Sequence, residues 1–246
     1  MEPPYLRIFG DYTPSAPIFA TRDECPWLER AEAAWRDVRS EVENYRRGLA
    51  EGVRASFVPD DVDIRGWDAI NFVSYLHWYP RNCEAFPKTL ALLRSIPDLT
   101  TAYVSILAPG AGLPVHNGDT NTTYRCHLGL VVPPGDDDAL GLEVGGERVG
   151  WREGEAFAFN EAPRHFVWNR TDRERIVLVF DVLRPQYRAR KLRICGDVLG
   201  AMTLTMLETK MPPLRRLPDG GRRALHRALS VGASAVLLTR DRAARA

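Results

Sequence analysis

Three of the five histidines in this 246-residue chain, His116, His127 and His165, lie where short apolar runs alternate with turn residues. His116 stands in VHNGDTN, just beyond the run Ala102–Ala108. His165 opens the run HFVWN, 49 residues later. In a two-sheet barrel, a loop after one strand and the start of a later strand can meet at one mouth. Two neutral imidazoles there suit Fe(II), in the manner of oxygenase sites built from two histidines and a carboxylate. The same pair is equally compatible with two unrelated histidines, each satisfied by its own hydrogen bonds.

The arginines nearby bear on that choice. Along Thr122–Val132, period-two alternation places Arg125, His127 and Gly129 on one face and Tyr124, Cys126 and Leu128 on the other. Along Glu174–Leu183, Arg175, Val177 and Val179 likewise share a face. A guanidinium turned into a core has to be paired. It grips a carboxylate through two parallel hydrogen bonds, which lysine cannot reproduce. Arg175 lies ten residues past His165, so one strand pair could hold a metal ligand and a cation facing one cavity. That arrangement suits a dicarboxylate co-substrate with one end at the metal and the other on the fixed cation. A solvated charge at a sheet edge is the alternative for either arginine.

Positioning these groups falls to the flanking elements. Leu28, Ala31, Trp35, Val38, Val42 and Tyr45 recur at helical spacing within Pro26–Arg47, and Pro87–Ile96 reads as a second helix. Between them, residues 50–82, with Pro59-Asp60-Asp61 and the aromatic run NFVSYLHWY, read as loop plus one or two strands. From residue 100 at least seven short strands follow, with a hairpin signal at Gly145-Gly146. The fold expected is α+β, mainly β: a double-stranded β-helix (jelly-roll, cupin-like) core with N-terminal helices and a C-terminal helical extension. The expected division is a domain over 1–185, with a helical layer over 1–100 and a β core over 101–185, and a basic extension over 186–246. In that extension, Val198–Leu207 and Arg222–Leu238 read as helices broken at Met211-Pro-Pro-Leu214.

The ordered motifs resemble the aspartyl/asparaginyl β-hydroxylase family of 2-oxoglutarate oxygenases. They are SILAPGAGLPVHNGDTNTTYRCHLGLVVP, then WREGEAFAFNEAPRHFVWNRTDRERIVLVFDVLRP, with a weaker likeness in PWLERAEAAWRDVRSEV and FPKTLALLRSIPD. The resemblance implies that His116 and His165 bind Fe(II). It implies that Arg125 and His127 contact the near carboxylate of 2-oxoglutarate, and that Ser105 and Arg175 hold the distal one. Trp151 and Gly154 take structural roles at a strand turn. The implied chemistry consumes O2, converts 2-oxoglutarate to succinate and hydroxylates an unactivated C–H bond. The third ligand of a facial triad would fall on Gly118, a glycine that aspartyl hydroxylases share and lipid A-hydroxylating relatives replace by aspartate. Asp119 departs from the family pattern and is open to three roles: metal binding through water, recognition of a substrate amine, or a turn carboxylate bonding its own backbone. Asn160-Glu161 departs as well, where acidic pairs are common.

Composition narrows the setting. With 45% apolar and 26% charged residues, the chain is neither disordered, collagen-like nor a disulfide scaffold. Cys25, Cys83, Cys126 and Cys195 lack ligand-like spacing and suit small buried hydrophobes in a reducing cytoplasm. No transmembrane run or signal peptide is read, so a cytoplasmic location is expected. The net charge of +1 conceals 13 Lys/Arg against 4 Asp/Glu in residues 186–246, a balance of +9 on an acidic body. Those cations could pack on the body or meet an acidic partner such as a carrier protein. Trp67, His77 and Trp78 read as core or pocket lining, and His226 as a surface residue.

The function expected is an Fe(II)/2-oxoglutarate dioxygenase acting on an aspartyl, asparaginyl or related unit. That unit would be a small molecule, a peptide or a carrier-tethered group in natural-product tailoring, with no nucleic-acid partner. The alternatives are a lipid or acyl-chain hydroxylase, a halogenase, and a non-catalytic cupin-like binding protein.

Overall fold

The computed structural model describes residues 7–10, 12, 17–48 and 65–245, with side chains described as far as Thr239. The loop expected around Pro59-Asp60-Asp61 lies outside them. The single helix expected over 26–47 is two, α1 (Trp27–Ala33) and α2 (Trp35–Arg47), divided at Ala34. The break lets α1 pack on β8 (Ala156–Asn160) while α2 packs on β5 (Thr123–Val131). Strands β1 (Trp67–Ser74) and β2 (His77–Trp78) follow, then α3 (Pro80–Ala85), a helix not expected from the sequence, and α4 (Pro87–Ser95). Proline opens both short helices, where its missing N–H leaves no bond unmade.

The remaining strands are β3 (Leu99–Leu107), β4 (Gly112–His116), β6 (Leu140–Val144), β7 (Glu147–Val149), β9 (His165–Asn169) and β10 (Arg175–Leu183). They form two antiparallel sheets, ordered β2-β1-β3-β10-β5-β8 and β4-β9-β6-β7. This is the expected jelly roll. Every residue of the central strand β10 is buried, but its two faces differ. Ile176, Leu178, Phe180 and Val182 join Val104, Cys126, Leu128 and Leu93 under the helical layer. Val177 and Val179 turn inward between the sheets, with Leu107, Leu142, Phe159 and Val167. Arg175 and Asp181 share that inward face by alternation, as do Arg125 and His127 on β5. All four cysteines are free and buried, as expected.

Beyond β10, a 3₁₀ turn (Pro185–Arg190) leads into α5 (Lys191–Lys210), and a second one (Pro212–Arg216) into α6 (Asp219–Arg245). The two helices pack closely because small residues oppose each other at four-residue spacing on both. A Cβ on Gly196 would lie 2.0 Å from Ser234 Oγ, and one on Gly200 2.4 Å from Ser230 Oγ and 2.7 Å from its backbone nitrogen. His226, expected at the surface, is tucked against α5 and bonds the Asp197 carbonyl at 3.1 Å. Arg222 is clamped by Glu208. On the body side, Tyr75, Cys195, Val198 and Leu237 form a small common core. Among the described residues, no helix is long and apolar enough to cross a membrane.

Alanine is the better helix former by about 1 kcal/mol, so propensity alone would make Gly200→Ala stabilising. The clash with Ser230 instead predicts a loss of about 1–3 kcal/mol in urea unfolding. A gain in stability would show that the helices are not in contact there.

Candidate active site

His116 ends β4 and His165 begins β9, and the two are directly opposed partners across the strands. Their rings lie 4.2 Å apart between centroids. Each imidazole Nδ1 bonds the carbonyl of the proline two residues earlier, His116 to Pro114 at 2.7 Å and His165 to Pro163 at 2.9 Å. A neutral ring that donates through Nδ1 keeps the lone pair on Nε2, which is the form a metal takes. Burial lowers the pKa of both, that of His165 to about 3, with the neighbouring His116 adding to the shift. The sequence suggests a loop at His116; in fact the strand β4 holds it, and the ladder sets its distance from His165.

Behind the pair lies a cavity of about 30 Å³ lined by Ser105, Arg125, His127, Arg175, Tyr103 and both histidines, among others. All six sequence candidates therefore meet at one place. Trp151 donates to His127 Nδ1 at 3.1 Å, the two rings lying within 14° of parallel. His127, held neutral by burial and by the nearby arginines, then carries its proton on Nε2 and is a donor. Ser105 Oγ accepts from Trp67 Nε1 at 2.9 Å and lies 3.5 Å from Arg175 Nη2. Gly154 adopts φ +79°, and a Cβ there would meet the Trp35 ring, which explains its turn.

Arg175 is 1% exposed, lies over the Trp151 ring at 4.8 Å, and its Nε has no hydrogen-bond partner among the described residues. Burial, with no carboxylate at hand, pulls its pKa down to about 10. A buried guanidinium without a counter-ion is costly. Its chemistry matches a carboxylate, so the residues present fit a dicarboxylate beside two imidazoles in the neutral form a metal takes.

Arg125 lines the same cavity with protein partners of its own. Its Nε and Nη2 bond Asp181 at 2.8 and 2.9 Å, and Nη2 lies 2.6 Å from Glu161. The guanidinium reaches the cavity while Asp181 and Glu161 hold it from the protein side. Burial would lower its pKa, and these partners outweigh that and raise it. Glu161 is itself fully buried, which raises its pKa against the pull of Arg125. The sequence pattern marks neither acid as a site residue. Asp181 stands in the motif before the final proline, and Glu161 only as a departure.

Glu161 also explains Gly118. A Cβ at 118 would fall 2.5 Å from Glu161 Cγ and 2.6 Å from its carbonyl oxygen. The glycine is therefore required by packing, and an aspartate could not enter without moving Glu161. Asp119 turns away from its own backbone and accepts from Tyr75 Oη at 2.6 Å. Tyr75 and Leu76 form the two-residue β1–β2 turn with φ +45° and +70°. Glycine or asparagine normally fills such positions, so each bulky residue stores about 1–3 kcal/mol of strain.

Residues 32–185 match the family described as aspartyl/asparaginyl β-hydroxylase. The chain is 35% identical over 165 residues to the ornithine lipid ester-linked acyl 2-hydroxylase of Rhizobium tropici, covering 65% of this chain and 58% of the relative. It is 27% identical over 183 residues to the aspartyl/asparaginyl β-hydroxylase of Homo sapiens, covering 68% and 24%. The chain thus spans little more than half the length of the first relative and a quarter of the second. Among solved structures, HygX from Streptomyces hygroscopicus, with nickel and 2-oxoglutarate bound, aligns at 14% identity and TM-score 0.38, over 60% of this chain and 79% of that one.

Gly118→Ala introduces no forbidden backbone angle, so its cost is the clash with Glu161 alone. Denaturation of the metal-free protein should show a loss of about 1–3 kcal/mol, or more if the loop cannot shift. An unchanged midpoint would mean that the 117–121 loop has room to spare.

Proposed function

The chain belongs to the aspartyl/asparaginyl β-hydroxylase family, and from that premise we propose an Fe(II)- and 2-oxoglutarate-dependent dioxygenase that hydroxylates an unactivated C–H bond. The observation that carries this reading is the buried, counter-ion-free Arg175 behind a pair of facing imidazoles. His116 and His165 would hold the metal through Nε2. Arg175 and Ser105 would take the distal carboxylate of 2-oxoglutarate, and Arg125 with the Nε2–H of His127 the end nearer the metal. When bound, these groups supply the oxidising power, O2 being consumed and 2-oxoglutarate leaving as succinate and CO2. The protein's part is to orient both ends of the co-substrate, to keep both ligand rings neutral, and to exclude water behind the apolar wall of Leu142, Phe159 and Val179.

For the substrate, an aspartyl, asparaginyl or related amino-acid-derived unit follows from the family. The case for it from Gly118 is weakened, because Glu161 accounts for that glycine by packing. A lipid acyl chain, the substrate in the name of the Rhizobium relative, is the second reading.

The test is an anaerobic titration with Fe(II) and 2-oxoglutarate, following the visible absorption of the chelated co-substrate. His116→Ala should abolish the band. Arg175→Met should weaken 2-oxoglutarate binding by about 2–5 kcal/mol, that is thirtyfold to several thousandfold. The same change removes a buried unpaired charge, so the ligand-free variant should be at least as stable as the parent in urea. Wild-type 2-oxoglutarate affinity in Arg175→Met would overturn the assignment. A large loss of ligand-free stability would show that the arginine serves the fold.

A further inference from the structure

A groove of about 960 Å³ separates the β1–β2 turn from the start of α5 and from α6. That is near the upper end of the ~300–1,000 Å³ usual for small-molecule sites. Leu76, Trp78, Leu192 and Leu237 give it an apolar lining. Arg188, Arg190, Lys191 and Arg193 stand along it with a single carboxylate, Asp98. Arg188 and Lys191 share that carboxylate. Arg190 and Arg193 are exposed and have no ion-pair partner among the described residues. The α5 and α6 side of the groove lies outside residues 32–185, the span matched by the family.

The basic extension does not fold its charge onto the acidic body. Among the described residues only Arg188 and Lys191 pair there, while Asp197 of α5 takes Arg7 of the body and Arg222 takes Glu208 within the hairpin. Arg215, Arg216, Arg223 and Arg227 have no carboxylate within 4.0 Å among the described residues. On α6, Val231, Ala235 and Leu238 are exposed and share one face at i, i+4 and i+7, Val231 by 70%. Cations beside exposed apolar side chains are the composition of an element lying in a bilayer interface.

We propose that this groove binds an anionic lipid of a membrane surface, its acyl chain against Trp78, Leu192 and Leu237 and its headgroup on Arg190 and Arg193. An acidic protein would satisfy the cations but leave the apolar depth of the groove unfilled. Leu76 lines the groove, and its neighbour Tyr75 bonds Asp119 in the loop after His116. One strained turn therefore joins the lipid groove to the metal-ligand loop. The inference concerns binding alone and stands apart from the catalytic reading.

The full chain, free of metal, is sedimented with phosphatidylcholine vesicles with and without phosphatidylglycerol. Binding should be at least roughly tenfold tighter with the anionic lipid, and R190E/R193E should lose at least that factor while keeping its circular dichroism. Phosphatidylglycerol brominated in its acyl chains should quench tryptophan emission, and Trp78→Phe should remove part of that quenching. Inorganic phosphate should not displace the vesicles. Equal binding to both vesicle types, no effect of R190E/R193E, or quenching indifferent to Trp78 would overturn the proposal. So would displacement by phosphate alone, or capture of an acidic acyl carrier protein with no vesicle binding. Because no step uses iron or 2-oxoglutarate, a failure here leaves the oxygenase reading untouched, and the converse holds.

Discussion

Arg125 lies opposite Asp181 across the β5–β10 ladder, and Glu161 closes on the same guanidinium from the end of β8. One cation and two acids are thereby buried together against the inner face of the six-stranded sheet. Such a cluster is stable only while complete, since losing one member strands the others without water. Completeness in turn dictates geometry. Glu161 must sit where a side chain at 118 would be, so the residue two past His116 has to be glycine. The loop backbone can then approach, and Gly118 donates to the Glu161 carbonyl at 2.8 Å. The glycine at 118 follows from the ion cluster behind it.

The second buried guanidinium works in the opposite sense. Arg125 is paired by the protein, whereas Arg175, on the same strand face as Asp181, is surrounded by Ser105, Trp151, His127 and a neutral Tyr103, with no ion-pair partner among the described residues. Identical residue types lining one cavity thus differ in whether the protein itself supplies the counter-charge. The strained Tyr75–Leu76 turn is held by its neighbours. Its left-handed backbone persists because Thr101 and Asp119 hold Tyr75 and the Thr100 carbonyl accepts from the Leu76 N–H.

Much of this arrangement is legible in the amino-acid sequence. Alternation along 122–132 and 174–183 assigns each inward face correctly, because a strand buried on both sides tolerates few choices of polar residue. The spacing of His116 and His165 likewise points to a shared mouth, and the two do meet there. Three things are not legible. Strand β4 is short and interrupted by Pro114, so His116 looks like a loop residue. Glu161 is visible only as a departure, since its partner Arg125 lies 36 positions away in sequence. The break at Ala34 carries no proline or glycine, and arises because the two half-helices pack on different strands.

Both imidazoles of the facing pair are oriented by carbonyl oxygens, of Pro114 and Pro163, with no carboxylate or amide side chain in that role among the described residues. A main-chain acceptor survives any substitution at its own position that leaves the backbone path alone. Such a site is robust to mutational drift in a way that side-chain-supported metal centres are not. A saturation scan would register the histidines themselves and pass silently over the groups that aim them. The aim is encoded in strand pairing, and it would be lost by a slip in register sooner than by any exchange of side chain.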